Sequence, residues 1–230
     1  RSRHGLVYRS PVINVSRDPR WGRIQEVFSE DPYLTGRMAV AYVHGLQGDD
    51  LSHLKVASTL KHFAVYNVEN GRQHLSAVVD DRILHEFFLP HWKAGIMEGH
   101  AQSVMSSYNA INGVPDAVNH HLLTDILRKE WGFQGIVVSD YYAITQLISQ
   151  HHVAADKADA AQQAFAAGVD IELPDPDAYK ELPALLAAGK IAQADLDTAV
   201  GRVLKAKFLA GLFENRYVDV DAAELVSNRP

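Results

Sequence analysis

The chain has no cysteine among its 230 residues. That excludes disulfides and thiolate chemistry and leaves the compartment open. No apolar stretch approaches the roughly 20 residues that span a bilayer as a helix. No membrane partner is therefore expected, and the chain reads as soluble, whether cytoplasmic, periplasmic or secreted. A basic footprint is missing too. The net charge is −6 with both signs interspersed, so nucleic acid is not an expected partner. Internal repeats and low-complexity tracts are absent, although alanine is abundant in the last helices. The 12 histidines are scattered, and neither His120-His121 nor His151-His152 has the i, i+4 spacing of a helical zinc pair. No metal and no cofactor are expected. The opening Arg1-Ser2-Arg3-His4 resembles neither a signal peptide nor a natural start, so further chain is expected upstream.

What is present suffices for one α/β barrel or two small domains. The chain is organised around Gly135 to Tyr141, Gly-Ile-Val-Val-Ser-Asp-Tyr. Three apolar residues bounded by glycine are too few for a helix and suit a strand buried on both faces of a parallel sheet. Ser139, Asp140, Tyr141 and Tyr142 follow at its carboxyl end, where α/β folds place their chemistry. A carboxylate there, beside aromatic surface able to stack on a sugar ring, is a candidate catalytic group. Aspartate is equally a preferred N-cap, so Asp140 could instead cap a helix opening near Ala143.

Elsewhere, apolar runs predict strands over 11–15, 56–60, 103–107 and 169–173. Helical spacing predicts helices over 32–47, 81–98, 120–131, 156–167, 179–188 and 195–209, with Asp31-Pro32 supplying an N-cap and first-turn proline. Apolar strands alternating with helices indicate a parallel α/β sheet. Five strands are recognisable where a closed (β/α)₈ barrel has eight, so the barrel is read as open, truncated or completed by unrecognised strands.

Polar groups recur at the strand ends: Arg23 after the first, Lys61 and His62 after the second with Arg72 further along that loop, Tyr108 after the third, and Asp140 after the fourth. Each has a bland explanation alone, as a snorkelling lysine, a core histidine or a space-filling tyrosine. A parallel fold would gather them at one mouth. The loop Ser-Arg-Asp-Pro-Arg-Trp-Gly-Arg-Ile, 16–24, sets three arginines around Trp21. They are expected to be fixed by Asp18, Glu26, Glu30 and Asp31, with one left to meet a ligand, since a guanidinium fork serves two acceptors at once.

These segments, with Ser29-Glu30-Asp31-Pro32, Lys61-His62-Phe63, Val104-Met105-Ser106-Ser107-Tyr108-Asn109, Trp131-Gly132-Phe133 and Val138-Ser139-Asp140, resemble glycoside hydrolase family 3. The resemblance is to its N-terminal barrel and runs from about Ser10 to Phe213. It implies an α/β fold with a parallel TIM-type (β/α) barrel, apparently incomplete. Residues 1–230 would form a single barrel domain, truncated at the N-terminus and without the family's second domain. The implied activity is that of a retaining exo-acting β-glycosidase, similar to a β-glucosidase, acting on terminal non-reducing β-D-glycosyl residues. The family nucleophile falls on Asp140 and its sugar-binding residues on Arg23, Lys61, His62, Arg72 and Tyr108. Tyr141 stands where many members have tryptophan, beside the aglycone. Nearby Arg and Lys are expected to hold the Asp140 pKa down.

Two departures bear on activity. The family's leading strand, with an aspartate that grips sugar hydroxyls, is not in this sequence. The acid/base glutamate of two-domain members comes from beyond the barrel, so a second domain or polypeptide is the expected partner besides the β-glycoside or oligosaccharide. Glu172 ends the fifth strand and is expected to be structural or at the rim. Other readings are a non-catalytic sugar-binding or structural barrel remnant, a β-xylosidase, and the single-barrel β-N-acetylglucosaminidase branch. That branch carries Pro-Gly-His-Gly and Asp-Ser-His where this chain has Ala64-Val65-Tyr66-Asn67-Val68-Glu69 and a lone His74. An aldolase or isomerase using Lys61 would need a glycine-rich phosphate loop, and Gly168 and Gly189 are isolated.

Overall fold

The computed structural model describes residues 7–67, 71–214, 216–217 and 219–227; Arg1 to His4, and Val68 and Glu69, lie outside them. The first strand, β1, is Val7–Tyr8 rather than 11–15. Those residues instead run beside the next strand with one bridge, Val12 to Lys61. Pro11 has no N–H to donate and interrupts the ladder, though its carbonyl still accepts from Lys61 N at 3.2 Å. Helix α1, Pro32–Gln47, begins as expected. The Asp31 carboxylate accepts from Tyr33 N at 2.8 Å, and Gly48 ends the helix.

Strand β2, Ala57–Phe63, continues through the Lys-His-Phe motif, so those side chains hang from a strand rather than a loop. Strand β3 is Ser76–Ala77. The single helix expected over 81–98 is broken. Helix α2, Asp81–Ile83, widens into π-helical turns over Leu84–Phe88, and α3, Pro90–Met97, starts afresh. Pro90 explains the break, because its ring excludes the preceding turn and it donates no hydrogen bond. Strand β4 is Ser103–Ser106. A hairpin, β5 (Ala110–Ile111) and β6 (Val114–Pro115), turns on Asn112-Gly113. Both turn residues have positive φ, 50° and 86°, as a type I′ turn requires. A π-helical segment, His121–Glu130, leads to β7, Ile136–Tyr141. Then come α4 (Ala143–Ser149), α5 (Lys157–Ala167), β8 (Ile171–Leu173), α6 (Leu182–Ala187), α7 (Gln193–Leu209) and α8 (Val220–Ser227).

The main sheet is five-stranded, in the order β1-β2-β4-β7-β8, and every pairing is parallel. Spatial order follows chain order with no reversal. That is the winding of a (β/α) barrel rather than of a doubly wound sheet, which needs a switch point. The sheet is a curled, incomplete TIM barrel. Side chains alternate across it with period two. Val104 and Val137 face the main core shared with the helices. Met105, Ile136 and Val138 face the inside of the curl, where Ile171, Leu173, Val203 and Ala206 pack on them. Gly135 is obligatory at the start of β7, since a Cβ there would stand 2.3 Å from the Gln102 carbonyl oxygen. The small β3-β5-β6 sheet braces the loops after β2 and β4. Among the described residues, no helix is long and apolar enough to cross a membrane.

Candidate active site

The carboxyl ends of β2, β4 and β7 open into a cleft of about 600 Å³ whose lining includes Arg23, Lys61, His62, Arg72, Tyr108, Asp140 and Tyr141. Residues more than a hundred positions apart thus share one mouth, as parallel winding dictates. Arg9, Glu26, Tyr66, Gln73 and Met105 also line it.

Asp140 is the penultimate residue of β7 and is buried. It does not cap the following helix. The N-cap of α4 is Tyr142, in the left-handed region at φ 61°, with no side-chain cap. Asp140 Oδ1 instead accepts from Tyr141 N at 2.7 Å. Oδ2 is buried without a hydrogen-bond partner, 3.5 Å from His62 Nε2. Burial pushes the carboxyl above its ordinary value, against the lowering pull of Tyr141 N–H, Tyr108, Lys61 and Arg23. The expectation that neighbouring cations hold this pKa down is thus corrected. They act in that direction, but loss of water around a strand-end carboxylate outweighs them.

The cations are tuned by the same burial. Lys61 lies below its ordinary pKa because it is desolvated and Arg23 is near, with Asp140 and Glu26 opposing. His62 falls well below the usual histidine range through burial, then through Arg23, Lys61 and Arg72, so it is a neutral imidazole. Tyr108 is raised by burial and by the Asp140 charge, so its hydroxyl keeps its proton beside the carboxylate.

The arginine loop resolves into three different roles. Arg20 folds back on Asp18 at the surface, 2.6 Å apart. Arg17 lies over the rings of Phe87 and Phe88, 5.4 Å from each centroid. Arg23 reaches the cleft, where it grips Glu26 with two nitrogens at 2.8 and 2.6 Å and keeps Nη1 3.1 Å from His62 Nε2. That fork lowers the Glu26 pKa. Asp31 is the α1 cap and not a partner of this loop.

Tyr66 and Asn14 carry no signal in the sequence and emerge only from the fold. Tyr66 is buried at the centre of an aromatic cluster, 5.0 Å from the His62 ring, 6.0 Å from Tyr108 and 6.2 Å from Trp21, with the Arg23 guanidinium 5.7 Å over its face. Asn14 holds the His62 backbone on both sides, donating to its carbonyl and accepting from its N–H, each at 2.9 Å. Arg9 lies over the Tyr141 ring at 5.5 Å. Glu172 is elsewhere. It is buried and spends both oxygens on the backbone N–H groups of Ala178 and Tyr179, at 3.1 and 2.7 Å.

Residues 7–206 match the profile of the glycosyl hydrolase family 3 N terminal domain. A periplasmic β-glucosidase of Salmonella typhimurium is 42% identical over 210 residues, 90% of this chain and 27% of its own. A putative β-xylosidase of Formosa agariphila is 38% identical over 92% of this chain and 29% of its own. The solved β-glucosidase of Erythrobacter marinus superposes with a TM-score of 0.91 at 37% identity, over 96% of this chain and 30% of that one. The chain therefore spans between a quarter and a third of the length of these relatives. Over that span it carries the strand order and strand-end motifs described above, and it belongs to glycosyl hydrolase family 3 as its N-terminal domain.

Proposed function

We propose that this chain is the nucleophile-bearing and sugar-binding part of a retaining, exo-acting β-glycosidase that takes terminal β-D-glucosyl residues, with β-xylosyl residues the next candidate. The observation that carries this reading is the state of Asp140. One oxygen is pinned by a backbone N–H, and the other is buried at the wall of the cleft, where Tyr108, Lys61 and Arg23 favour its charge and no close hydrogen bond occupies it. Such an oxygen can attack the anomeric carbon from the face opposite the departing group, forming a glycosyl ester that water then opens. Arg23, Lys61, His62, Arg72 and Tyr108 supply donors and acceptors for the hydroxyls of the sugar. A site of buried polar groups rejects the wrong epimer by leaving those groups unpaired. Tyr141 offers a face to the aglycone.

A retaining pair needs its carboxyls about 5–5.5 Å apart, with one protonated. Glu26 is held ionised by Arg23, which suits a brace rather than an acid. Glu172 is engaged with backbone outside the cleft lining. The acid/base is therefore assigned to a further domain or polypeptide, as the greater length of the relatives allows. The test is covalent trapping. A dinitrophenyl 2-deoxy-2-fluoro-β-glucoside needs no proton on its leaving group, so the 230-residue chain is expected to gain one fluoroglucosyl adduct on the peptide carrying 135–142. Digestion and mass spectrometry would locate it. Labelling of another peptide, or unchanged labelling of Asp140→Asn, would refute the assignment.

Tyr108 offers a pH test. It lowers the Asp140 pKa, so Tyr108→Phe leaves that carboxyl higher still. A nucleophile must be ionised, so the acidic limb of dinitrophenyl glucoside cleavage should move to higher pH in the variant. A limb that stays in place or moves to lower pH would contradict the role given to Tyr108.

A further inference from the structure

We infer that Asn14 is the positioning residue that fixes the His62 imidazole as its Nδ1–H tautomer, turning a bare Nε2 toward the cleft as a hydrogen-bond acceptor. An amide's two ends usually cannot be told apart by position alone, but the backbone settles them here. The atom facing the His62 N–H must be oxygen and the atom facing the His62 carbonyl must be nitrogen, both at 2.9 Å. The same Oδ1 lies 3.2 Å from His62 Nδ1. An amide oxygen only accepts, so Nδ1 carries the proton. The far side of the ring agrees, because Arg23 Nη1, which only donates, lies 3.1 Å from Nε2. The opposite tautomer would set acceptor against acceptor at Asn14 and donor against donor at Arg23. Its one gain would be a long contact of 3.5 Å to Asp140 Oδ2.

Two consequences follow. His62 gives no proton to Asp140, so Oδ2 takes no hydrogen bond from the imidazole 3.5 Å away, and a carboxylate oxygen less engaged by donors is the better nucleophile. Toward a sugar, Nε2 asks for a hydroxyl that donates and takes the place of Arg23 Nη1 on its single lone pair, whereas Lys61 and the released Arg23 ask for oxygens that accept. His62 thereby reads the direction of a hydrogen bond as well as its position. This second consequence rests on the glycosidase reading; the tautomer does not. The charged and titratable groups around the ring are Arg23, Lys61, Arg72, Asp140 and the Tyr66 phenol.

The test is nitrogen NMR on the whole 230-residue chain labelled at histidine, with the His62 signals assigned by their loss in His62→Gln. At neutral pH, Nδ1 should resonate as a protonated nitrogen and Nε2 as a bare one. The reverse pattern, or a doubly protonated ring, would overturn the inference with no variant needed. In Asn14→Ala the preference should be lost and Nε2–H should appear. Asn14→Asp, which sets an anion against Nδ1, should bring a second proton onto the ring at higher pH than in the wild type. An unchanged Nδ1–H tautomer in folded Asn14→Ala would show that Asn14 does not set it. Adding glucose should move the Nε2 signal and leave Nδ1 in place. No response to glucose, xylose or their β-glycosides would count against the proposed function while the tautomer assignment stood.

Discussion

Asp140→Gly should release dinitrophenolate from 2,4-dinitrophenyl β-glucoside about 10⁴-fold or more slowly than the wild type, and added azide should restore the release while yielding the α-glucosyl azide. The magnitude follows from the loss of nucleophiles that act through a covalent intermediate. The rescue follows from geometry. Removing the carboxymethyl group empties the space where Oδ2 stood, beside Lys61 and Arg23, and a small anion can enter and attack the same face of the sugar. The wild type would displace twice and keep the β configuration. The variant would displace once, so its product is inverted. Because dinitrophenolate departs without a proton, the outcome does not depend on the acid/base. Product configuration, read by NMR, is the deciding measurement. A β-azide, or a Gly variant as fast as the wild type, would remove Asp140 from the reaction.

The sequence makes the site legible for a simple reason. Strand-end residues are adjacent to apolar runs that announce strands, so Lys61, His62, Tyr108 and Asp140 can be placed on one rim without coordinates. The interior helix breaks and short strands are less visible. Pro90 inside 81–98 is a local signal that the helical periodicity on either side obscures. The two-residue strands β3, β5 and β6 are too short to show alternation. The electrostatics of Asp140 are hidden from the sequence for a deeper reason. A sequence displays the charges that lower a pKa, but not the burial that raises it, and here burial is the larger influence. Asn14 is hidden for a related reason. Nothing in Pro-Val-Ile-Asn-Val marks the asparagine as the partner of a histidine 48 positions away.

Rigidity behind the motif connects these observations. Ala64 N donates to Asp116 Oδ2 at 3.1 Å, and the Ala64 carbonyl accepts from Asn109 Nδ2 at 3.3 Å. Asn109 is itself held by Ser107 Oγ at 2.6 Å. With Asn14 on the other side of the strand end, side-chain amides and a buried carboxyl supplement the backbone bonds of Lys61 to Pro11 and Ile13, where the ladder to β4 slips between Leu60 and Phe63. Burial pushes the Asp116 carboxyl well above its usual range, against the lowering pull of the Ala64 N–H and Asn109.

The largest loss of stability is expected far from the cleft, at Asp170. This carboxylate sits at the amino ends of β7 and β8, where it accepts from Arg128 Nη2 at 2.7 Å, Arg202 Nη1 at 2.9 Å and Val137 N at 2.8 Å. Its side chain is 1% exposed, that of Arg128 9% and that of Arg202 25%. Arg128 reaches further, to the carbonyls of Gly135 and Gly168, so one ion pair joins the starts of two strands to the π-helical segment and α5. Removing one partner of such a pair leaves a buried charge without compensation, which typically costs about 3–5 kcal/mol. Asp170→Ala should therefore lower the free energy of unfolding by that amount, read as a fall in the urea midpoint of that amount divided by m, the m-value being unchanged if the denatured state is the same. Asp170→Asn should lose less, since its oxygen can still take Val137 N or one guanidinium. Arg202→Ala, whose guanidinium is partly solvated, should lose about 1 kcal/mol or less. An Asp170→Ala variant within about 1 kcal/mol of the wild type would show that water or a shifted side chain neutralises Arg128, and that the amino ends of these strands are held by packing alone.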